Sequence, residues 1–511
     1  LVSLVVKVLS PAFASLLLGA LSVFGYAPFY LYPVPILTLA AISSLWIGAA
    51  STRGAAGLGL CFGLGLFLGG TSWVYVSLHD YGGMPMPVAG ASTLFFCGYL
   101  AAYPAAIAAL VRRARGDWSL KLVLLLPALW ALSEWVRSWL FTGFPWLALG
   151  YSQAPASPLA GFAPVLGVYG VSLASACVAG CLALACQRYR SLTNVRPAER
   201  IVLAVNGAPL WIALALLLVG FGLASRQWTT PLPGSTTRVA LIQGNIPQEL
   251  KWRPERARET LERYHELTRS TDATLILLPE TALPMFNVDL PHGYLDALAA
   301  HARANGGDLL TGIPEYAGPG RYFNSVMSLG SAPSQIYRKV HLVPFGDYFP
   351  LRWALGWFMN LLDIPMADFS RGSVDQRPLE AAGQRVAANI CYEDVFGEEI
   401  IRQLPAATIL ANFTNDAWWG RSVASQQHLQ ISQMRSLETG RYMLRATNTG
   451  VTAIIDSRGR VVKAAPEFET VIINGEAVGF SGSTPFIRWG NSAVLVLAGV
   501  LIAAALIAAR R

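Results

Sequence analysis

Residues 386–394 read Val-Ala-Ala-Asn-Ile-Cys-Tyr-Glu-Asp, a short apolar run that closes on one thiol and passes at once into two carboxylates. Val386 to Cys391 has the length and composition of a buried strand. A reactive group at the carboxyl end of a strand is where α/β folds place their sites. Outward from this run, further strands are expected at Thr237–Gln243, Thr274–Leu278, Asp308–Ile313, Tyr322–Leu329, Ile336–Val343, Thr408–Phe413, Thr452–Ile455 and Thr470–Ile473. Helices are expected at Pro254–Ser270, Leu295–Ala304, Glu398–Gln403 and Gln426–Ala446. Alternation of this kind predicts a layered α/β domain over residues 236–480, with helices covering the sheet faces.

The rest of the chain is a different material. Of its 511 residues 54% are hydrophobic and 13% charged, against roughly 25% charged in an average soluble domain. Residues 236–480 hold 49 of the 68 charges, 23 basic and 26 acidic. That stretch therefore nets −3, and the remainder supplies +11 toward the formal +8. Eight apolar runs outside it approach the 20 or so residues that span a bilayer as a helix: 8–25, 30–50, 55–77, 87–111, 121–140, 164–186, 203–223 and 491–509. Short cytoplasmic loops collect Lys and Arg. Lys7, Arg53, Arg112, Arg113, Arg115, Lys121, Arg188, Arg190, Arg196, Arg200, Arg510 and Arg511 fall on one side, while loops 78–86 and 141–163 contain neither residue type.

The expected organisation is seven transmembrane helices in residues 1–225, an extracytoplasmic catalytic domain in 236–480, and an eighth helix with a cytoplasmic terminus in 488–511. The first span has no prominent small-residue cleavage site and is read as a retained helix. The positive charge thus records topology, which argues against a nucleic-acid partner. Glu134 and Arg137, on one face of the fifth span, are expected either to snorkel as a helix-end pair or to meet a lipid headgroup. Five of the six cysteines lie in apolar spans; Cys391 alone lies in the outer domain, so it has no partner there for a disulfide.

Three residues carry coherent chemistry. Glu280 ends the apolar run Leu275–Pro279, Lys339 lies in Tyr337-Arg338-Lys339-Val340-His341, and Cys391 closes its strand. A thiol is largely protonated at neutral pH and needs a base or a nearby cation to become a nucleophile. Glu280 suits the general base, Lys339 suits stabilisation of thiolate and oxyanion, and the Tyr392 N–H suits a second oxyanion donor. Taken singly, each also fits a bland reading as surface charge or chance.

The surrounding motifs resemble the nitrilase superfamily, and specifically its membrane-embedded branch, the apolipoprotein N-acyltransferases. They are Gln243-Gly244-Asn245-Ile246-Pro247-Gln248 with Lys251-Trp252, Leu278-Pro279-Glu280-Thr281-Ala282, Lys339-Val340-His341-Leu342-Val343-Pro344-Phe345-Gly346, Asn389-Ile390-Cys391-Tyr392-Glu393, and Asn415-Asp416-Ala417-Trp418-Trp419-Gly420. The resemblance implies an αββα sandwich with a Glu280, Lys339, Cys391 triad. It implies a bacterial inner-membrane enzyme whose periplasmic domain moves the sn-1 acyl chain of a phospholipid, preferentially phosphatidylethanolamine, through a thioester to the α-amine of a diacylglyceryl-cysteine on an apolipoprotein. Trp252, Tyr392 and Glu393 match supporting positions. Where the family commonly has Phe-Gly-Glu-Tyr this chain has Phe345-Gly346-Asp347-Tyr348, a carboxylate one methylene shorter.

The residues point to lipid independently, because a hydrolase of soluble amides has no need of eight helices. The aromatic stretch 348–359 suits an interfacial arm. Trp418 and Trp419 suit either such a surface or a buried pair. Asn324 and Asn415 suit site scaffolding or turn chemistry. His341, two residues after Lys339 on an expected strand, shares its face and suits a structural role. The six histidines are scattered, so neither metal nor cofactor is expected. The rivals are a membrane-tethered amidase, which gives its acyl group to water, and a transporter, which leaves the triad motifs unexplained.

Overall fold

The computed structural model describes residues 10–192, 207–348 and 368–510. The chain forms two compact units, Leu1–Trp73 with Gly90–Arg226 and Trp489–Arg511, and Val74–Ala89 with Gln227–Arg488. The first is helical. Among the described residues five helices are long and apolar enough to cross a membrane: Thr52–Thr71, Met86–Arg113, Trp118–Arg137, Pro158–Ser191 and Ala208–Ser225. Pro11–Gly25, Pro33–Gly48 and Ser492–Ala508 are shorter apolar helices. Their starts follow local chemistry. Proline opens Pro11–Ser22, Pro33–Gly48 and Ala208–Ser225, where its missing N–H costs nothing. Ser10 and Ser51 accept N–H bonds from Phe13 and Gly54 as N-caps.

Small residues set how closely these helices approach. A Cβ at Gly19 would overlap the Phe62 carbonyl, and one at Gly65 would overlap that of Leu16. Helices Pro11–Ser22 and Thr52–Thr71 therefore meet backbone to backbone. Glu134 and Arg137 are 4% and 3% exposed, so neither snorkels. Glu134 Oε1 accepts from Trp130 Nε1 and the Leu149 N–H, each at 2.8 Å. Arg137 Nη1 donates to the carbonyls of Phe144 at 2.9 Å and Trp146 at 2.6 Å. Both charges brace the irregular segment that follows their helix.

The second unit is a sandwich of two six-stranded sheets. One runs β12-β1-β2-β3-β4-β5 and the other β11-β10-β9-β8-β7-β6. In the first, β1 is Thr230–Gln243, β2 Leu275–Leu277, β3 Asp308–Tyr316, β4 Tyr322–Gly330 and β5 Ile336–Arg338. In the second, β6 is Leu379–Ala381, β7 Gln384–Ile390, β8 Ile409–Thr414, β9 Met443–Thr447, β10 Ala453–Ile455 and β11 Val461–Ala464; β12, Val471–Ser481, returns to the first. Strands β1–β2–β3 and β7–β8–β9 are parallel.

The period of two explains the layering. Val386, Ala388 and Ile390 of β7, with Ile409, Ala411 and Phe413 of β8, meet Val239, Leu241, Leu275 and Leu277 between the sheets. Ala387 and Leu410 point the other way, to Leu429 of the Ala424–Thr439 helix. On the opposite face Ala240, Ile242 and Ile276 meet Leu261 of helix Pro254–Arg269 and Leu298 of helix Tyr294–Ala304. The order is helix, sheet, sheet, helix.

Three expectations are corrected. The helix expected over Gln426–Ala446 ends at Thr439, where Gly440 turns left-handed at φ 62°, and β9 follows. The strand expected over Ile336–Val343 ends at Arg338, because the Val340 and His341 N–H groups bond the Glu393 carboxylate instead of a neighbouring strand. Lys339 and His341 therefore do not share a strand face. Strands β6, β9 and β11 were not expected. The aromatic stretch 348–359 lies, from residue 349 on, outside the described residues, as do residues 8, 9 and 203–206 of the expected spans.

The close helix approach is testable. Gly19→Leu should destabilise the detergent-solubilised chain by about 1–3 kcal/mol through overpacking, read as a lowered thermal midpoint. Gly57→Ala, whose Cβ meets nothing within 4 Å, should leave it unchanged. Equal midpoints for the two variants would contradict the packing described.

Candidate active site

The site is assembled from strand ends. Strand β2 stops at Leu277, and the chain turns through Pro279 to present Glu280, 7% exposed. Glu280 Oε1 accepts from Asn324 Nδ2 on β4 at 2.7 Å and from Lys339 Nζ at 3.4 Å. Lys339, just past β5, is 1% exposed, and its Nζ lies 2.8 Å from Asp347 Oδ2. The Val343 N–H donates to the same Asp347 oxygen at 2.8 Å. Asn324 thus bonds the Glu280 carboxylate, and Asp347 reaches Lys339 despite its shorter side chain. Burial works against the Lys339 ammonium, but Asp347 and Glu280 outweigh it and hold its pKa above the ordinary lysine range.

Cys391 follows β7 with φ 54°, a left-handed conformation that costs a non-glycine residue about 1–3 kcal/mol. Bonds on both sides hold it there. Its carbonyl accepts from Asn412 Nδ2 at 3.0 Å, and the preceding Ile390 N–H donates to Glu393 Oε2 at 2.6 Å. Burial, then the Glu280 charge, push the Cys391 thiol up, while Lys339 opposes them. The resting group is a thiol, which needs a base to react.

Glu393 ties the turn to the lysine loop. Its Oε1 accepts from the N–H groups of Val340 at 2.6 Å and His341 at 3.1 Å, and its Oε2 also accepts from Tyr337 Oη at 3.0 Å. Burial pushes its carboxyl up to about 7, with the N–H groups of Ile390, His341 and Val340 opposing. Tyr392 is buried, edge-on to Phe396 with ring centroids 5.2 Å apart. His341 stacks on Phe396 at 3.7 Å and lies 3.2 Å from Glu399, a structural arrangement.

Asn415 does not join this group. It bonds Gln248 Oε1 at 2.8 Å and accepts from Asn448 Nδ2 at 2.9 Å, while Asn448 also bonds the N–H and carbonyl of Ile246. These bonds fix the Gln248–Lys251 turn, at whose end Trp252 is half-buried. Trp418 and Trp419 are not a buried pair. Trp419 is buried beside His428, whereas Trp418 is half-buried, its ring edge-on to Tyr81 and its carbonyl bonded by Ser77 Oγ at 2.9 Å.

Sequence reasoning missed a buried network behind Cys391. His428 places Nε2 2.7 Å from Asp394 and Nδ1 3.1 Å from Asp416. Arg445 bonds Asp416 at 2.9 Å and Asn412 Oδ1 at 2.8 Å, and Asn412 holds the Cys391 carbonyl. All of these groups are at most 1% exposed. Burial and Arg445 disfavour the imidazolium, but the two aspartates prevail and raise the His428 pKa. No local signal marked Arg445, because Met443–Thr447 is a strand where the end of a helix was expected. Lys251 was quoted in a motif but given no role. Its Nζ donates to the Glu280 carbonyl at 3.0 Å.

The arrangement offers a thiol, a carboxylate base, a buried ammonium and a strand-end turn, the parts needed for acyl transfer through a thioester. Residues 18–181 match the apolipoprotein N-acyltransferase N-terminal domain, and residues 238–476 match the carbon-nitrogen hydrolase family. Similarity to a carbon-nitrogen hydrolase structure from Helicobacter pylori covers 47% of this chain and 89% of that one, at 14% identity and a TM-score of 0.36. An apolipoprotein N-acyltransferase of Nitrosomonas europaea is 51% identical over 500 residues, covering 97% of each chain. One from Chromobacterium violaceum is 43% identical over 502 residues, covering 98% of this chain and 94% of the other. With motifs and full-length similarity in agreement, this chain belongs to the apolipoprotein N-acyltransferase family.

Proposed function

We propose that this chain completes bacterial lipoprotein maturation by moving the sn-1 acyl chain of a membrane phospholipid, phosphatidylethanolamine by preference, to the free α-amine of a diacylglyceryl-cysteine. The observation that carries the reading is the hydrogen-bonded chain Asn324–Glu280–Lys339–Asp347, buried and in electrostatic reach of Cys391. Glu280 takes the Cys391 proton, and the thiolate attacks the ester carbonyl. Lys339 and the Tyr392 N–H hold the resulting oxyanion. As the intermediate collapses, Glu280 returns the proton to the departing lysophospholipid alkoxide and leaves a thioester. The acceptor amine then attacks this thioester, Glu280 removes the amine proton, and the expelled thiolate regains it once the amide has formed. Trp252, Tyr392, Glu393 and Asn415 support this site by packing and hydrogen bonding.

The apolar helices support delivery of both substrates from the bilayer, since each carries long acyl chains. In the topology we favour, the amino terminus is cytoplasmic, eight helices cross the inner membrane, and residues 236–480 form the periplasmic catalytic domain between residues 1–225 and 488–511. The one-sided placement of loop Lys and Arg supports it. No cofactor takes part in this scheme.

Purified chain in detergent, given phosphatidylethanolamine labelled in its sn-1 chain together with a diacylated lipopeptide, should place the label in an amide at the peptide amine. Label released only as free fatty acid would mean that water is the acceptor, and the amidase reading would stand instead. Glu280→Gln and Lys339→Met should each lower transfer by about 10²–10⁴-fold, the range for losing a general base or an oxyanion donor. Transfer within a few-fold of wild type in both variants would remove these residues from the reaction.

A further inference from the structure

We propose that Lys251 is a positioning residue of this site, a second buried cation that holds the Glu280 turn by its carbonyl and supplies the charge that makes the Cys391 thiolate accessible. The inference deepens the reading above, since it takes Cys391 as nucleophile and Glu280 as base.

Lys251 ends the short Gln248–Lys251 turn, which the Asn415–Gln248 bond anchors. It is 2% exposed. An ammonium has three N–H donors, yet among the described residues Lys251 Nζ has one acceptor, the Glu280 carbonyl at 3.0 Å. Burying a cation with so little compensation is costly. The charges facing it explain why it remains. Glu280 and Cys391 both act on it, and Lys339 and Asp347 complete the surroundings of Glu280.

Glu280 and Asp347 contribute two negative charges and Lys339 one positive charge. Without Lys251 the cluster is therefore net negative before Cys391 ionises, and moving the Cys391 proton to Glu280 leaves that excess in place. With a protonated Lys251 these side chains and Cys391 are together neutral through the same transfer, and Asp416, itself paired with Arg445, adds a further negative charge that acts on Cys391. Burial pushes the Lys251 ammonium down to about 8, with Glu280 and Cys391 opposing. Its positive charge is thus present below about pH 8 and is lost as pH rises through that value. Help from Lys251 should fade over the same range.

The test is the rate at which iodoacetamide alkylates Cys391 in the full-length chain in detergent, followed from about pH 6 to pH 10 by mass spectrometry of the Cys391 peptide. Lys251→Gln can keep a bond to the Glu280 carbonyl but has no charge, and Lys251→Met has neither. Both should react about tenfold slower than wild type near pH 6.5, the equivalent of one pK unit, with the gap closing toward pH 10 where wild-type Lys251 is itself neutral. Lys251→Arg keeps its charge throughout and should extend fast alkylation above pH 8. A deficit that is the same at every pH, or a Gln variant indistinguishable from wild type, would overturn the charge role, as would an Arg variant that follows Gln. Thermal midpoints of the three variants separate loss of fold from loss of rate. Alkylation involves no lipid, so failure of this proposal is distinguishable from failure of acyl transfer from phospholipid.

Discussion

The Glu393 carboxylate ties together the ends of two sheets that also meet through apolar packing and through hydrogen bonds such as Gln384 to Thr237 and Thr452 to Gln243. Lys339 follows β5 of one sheet, and Cys391 follows β7 of the other. Apolar packing alone fixes the distance between such sheets better than it fixes a side-chain position on each, because it has no direction. Glu393 supplies direction by accepting from Val340 and His341 on one side and from Ile390 on its own turn, with Tyr337 Oη as a fourth donor. The left-handed turn at Cys391 and the truncation of β5 both follow from that set of bonds.

Around this clamp the site has graded support. Asn324 and Asp347 set the carboxylate and ammonium directly, and the Asp394–His428–Asp416–Arg445 network acts one step behind, through Asn412 on the Cys391 carbonyl. Buried ionic groups cost desolvation energy unless they are paired and hydrogen-bonded. Here both aspartates are ion-paired with Arg445 and bonded by His428, so the network can sit in the core. Its rigidity lets the strained Cys391 backbone persist.

Much of the fold was legible because the central strands are short, almost continuously buried runs that end in turn chemistry. Leu275–Leu277 leads to Glu280, and Gln384–Ile390 leads to Cys391, so the triad residues stood at strand ends where function is expected. Resemblance to a family then gave them roles. What was not legible depended on tertiary partners. Met443–Thr447 reads as well as the end of a helix as it does as a strand, and only the left-handed Gly440 separates them. Val461–Ala464 is four residues long and exposed throughout, too short a run to stand out. Lys251 stood in a family motif but was given no role, since nothing local says that its ammonium will meet the Glu280 carbonyl. The same holds for His428 and Arg445, whose partners lie on other elements.

The central claim is that Cys391 carries the acyl group. It is tested most directly by incubating the chain with phosphatidylethanolamine labelled in the sn-1 chain, with no acceptor present, and measuring the mass of the Cys391 peptide before and after hydroxylamine. The account predicts one added acyl chain on Cys391, released by hydroxylamine and absent from Cys391→Ala. An unmodified Cys391 peptide, or equal labelling of Cys391→Ala, would contradict it.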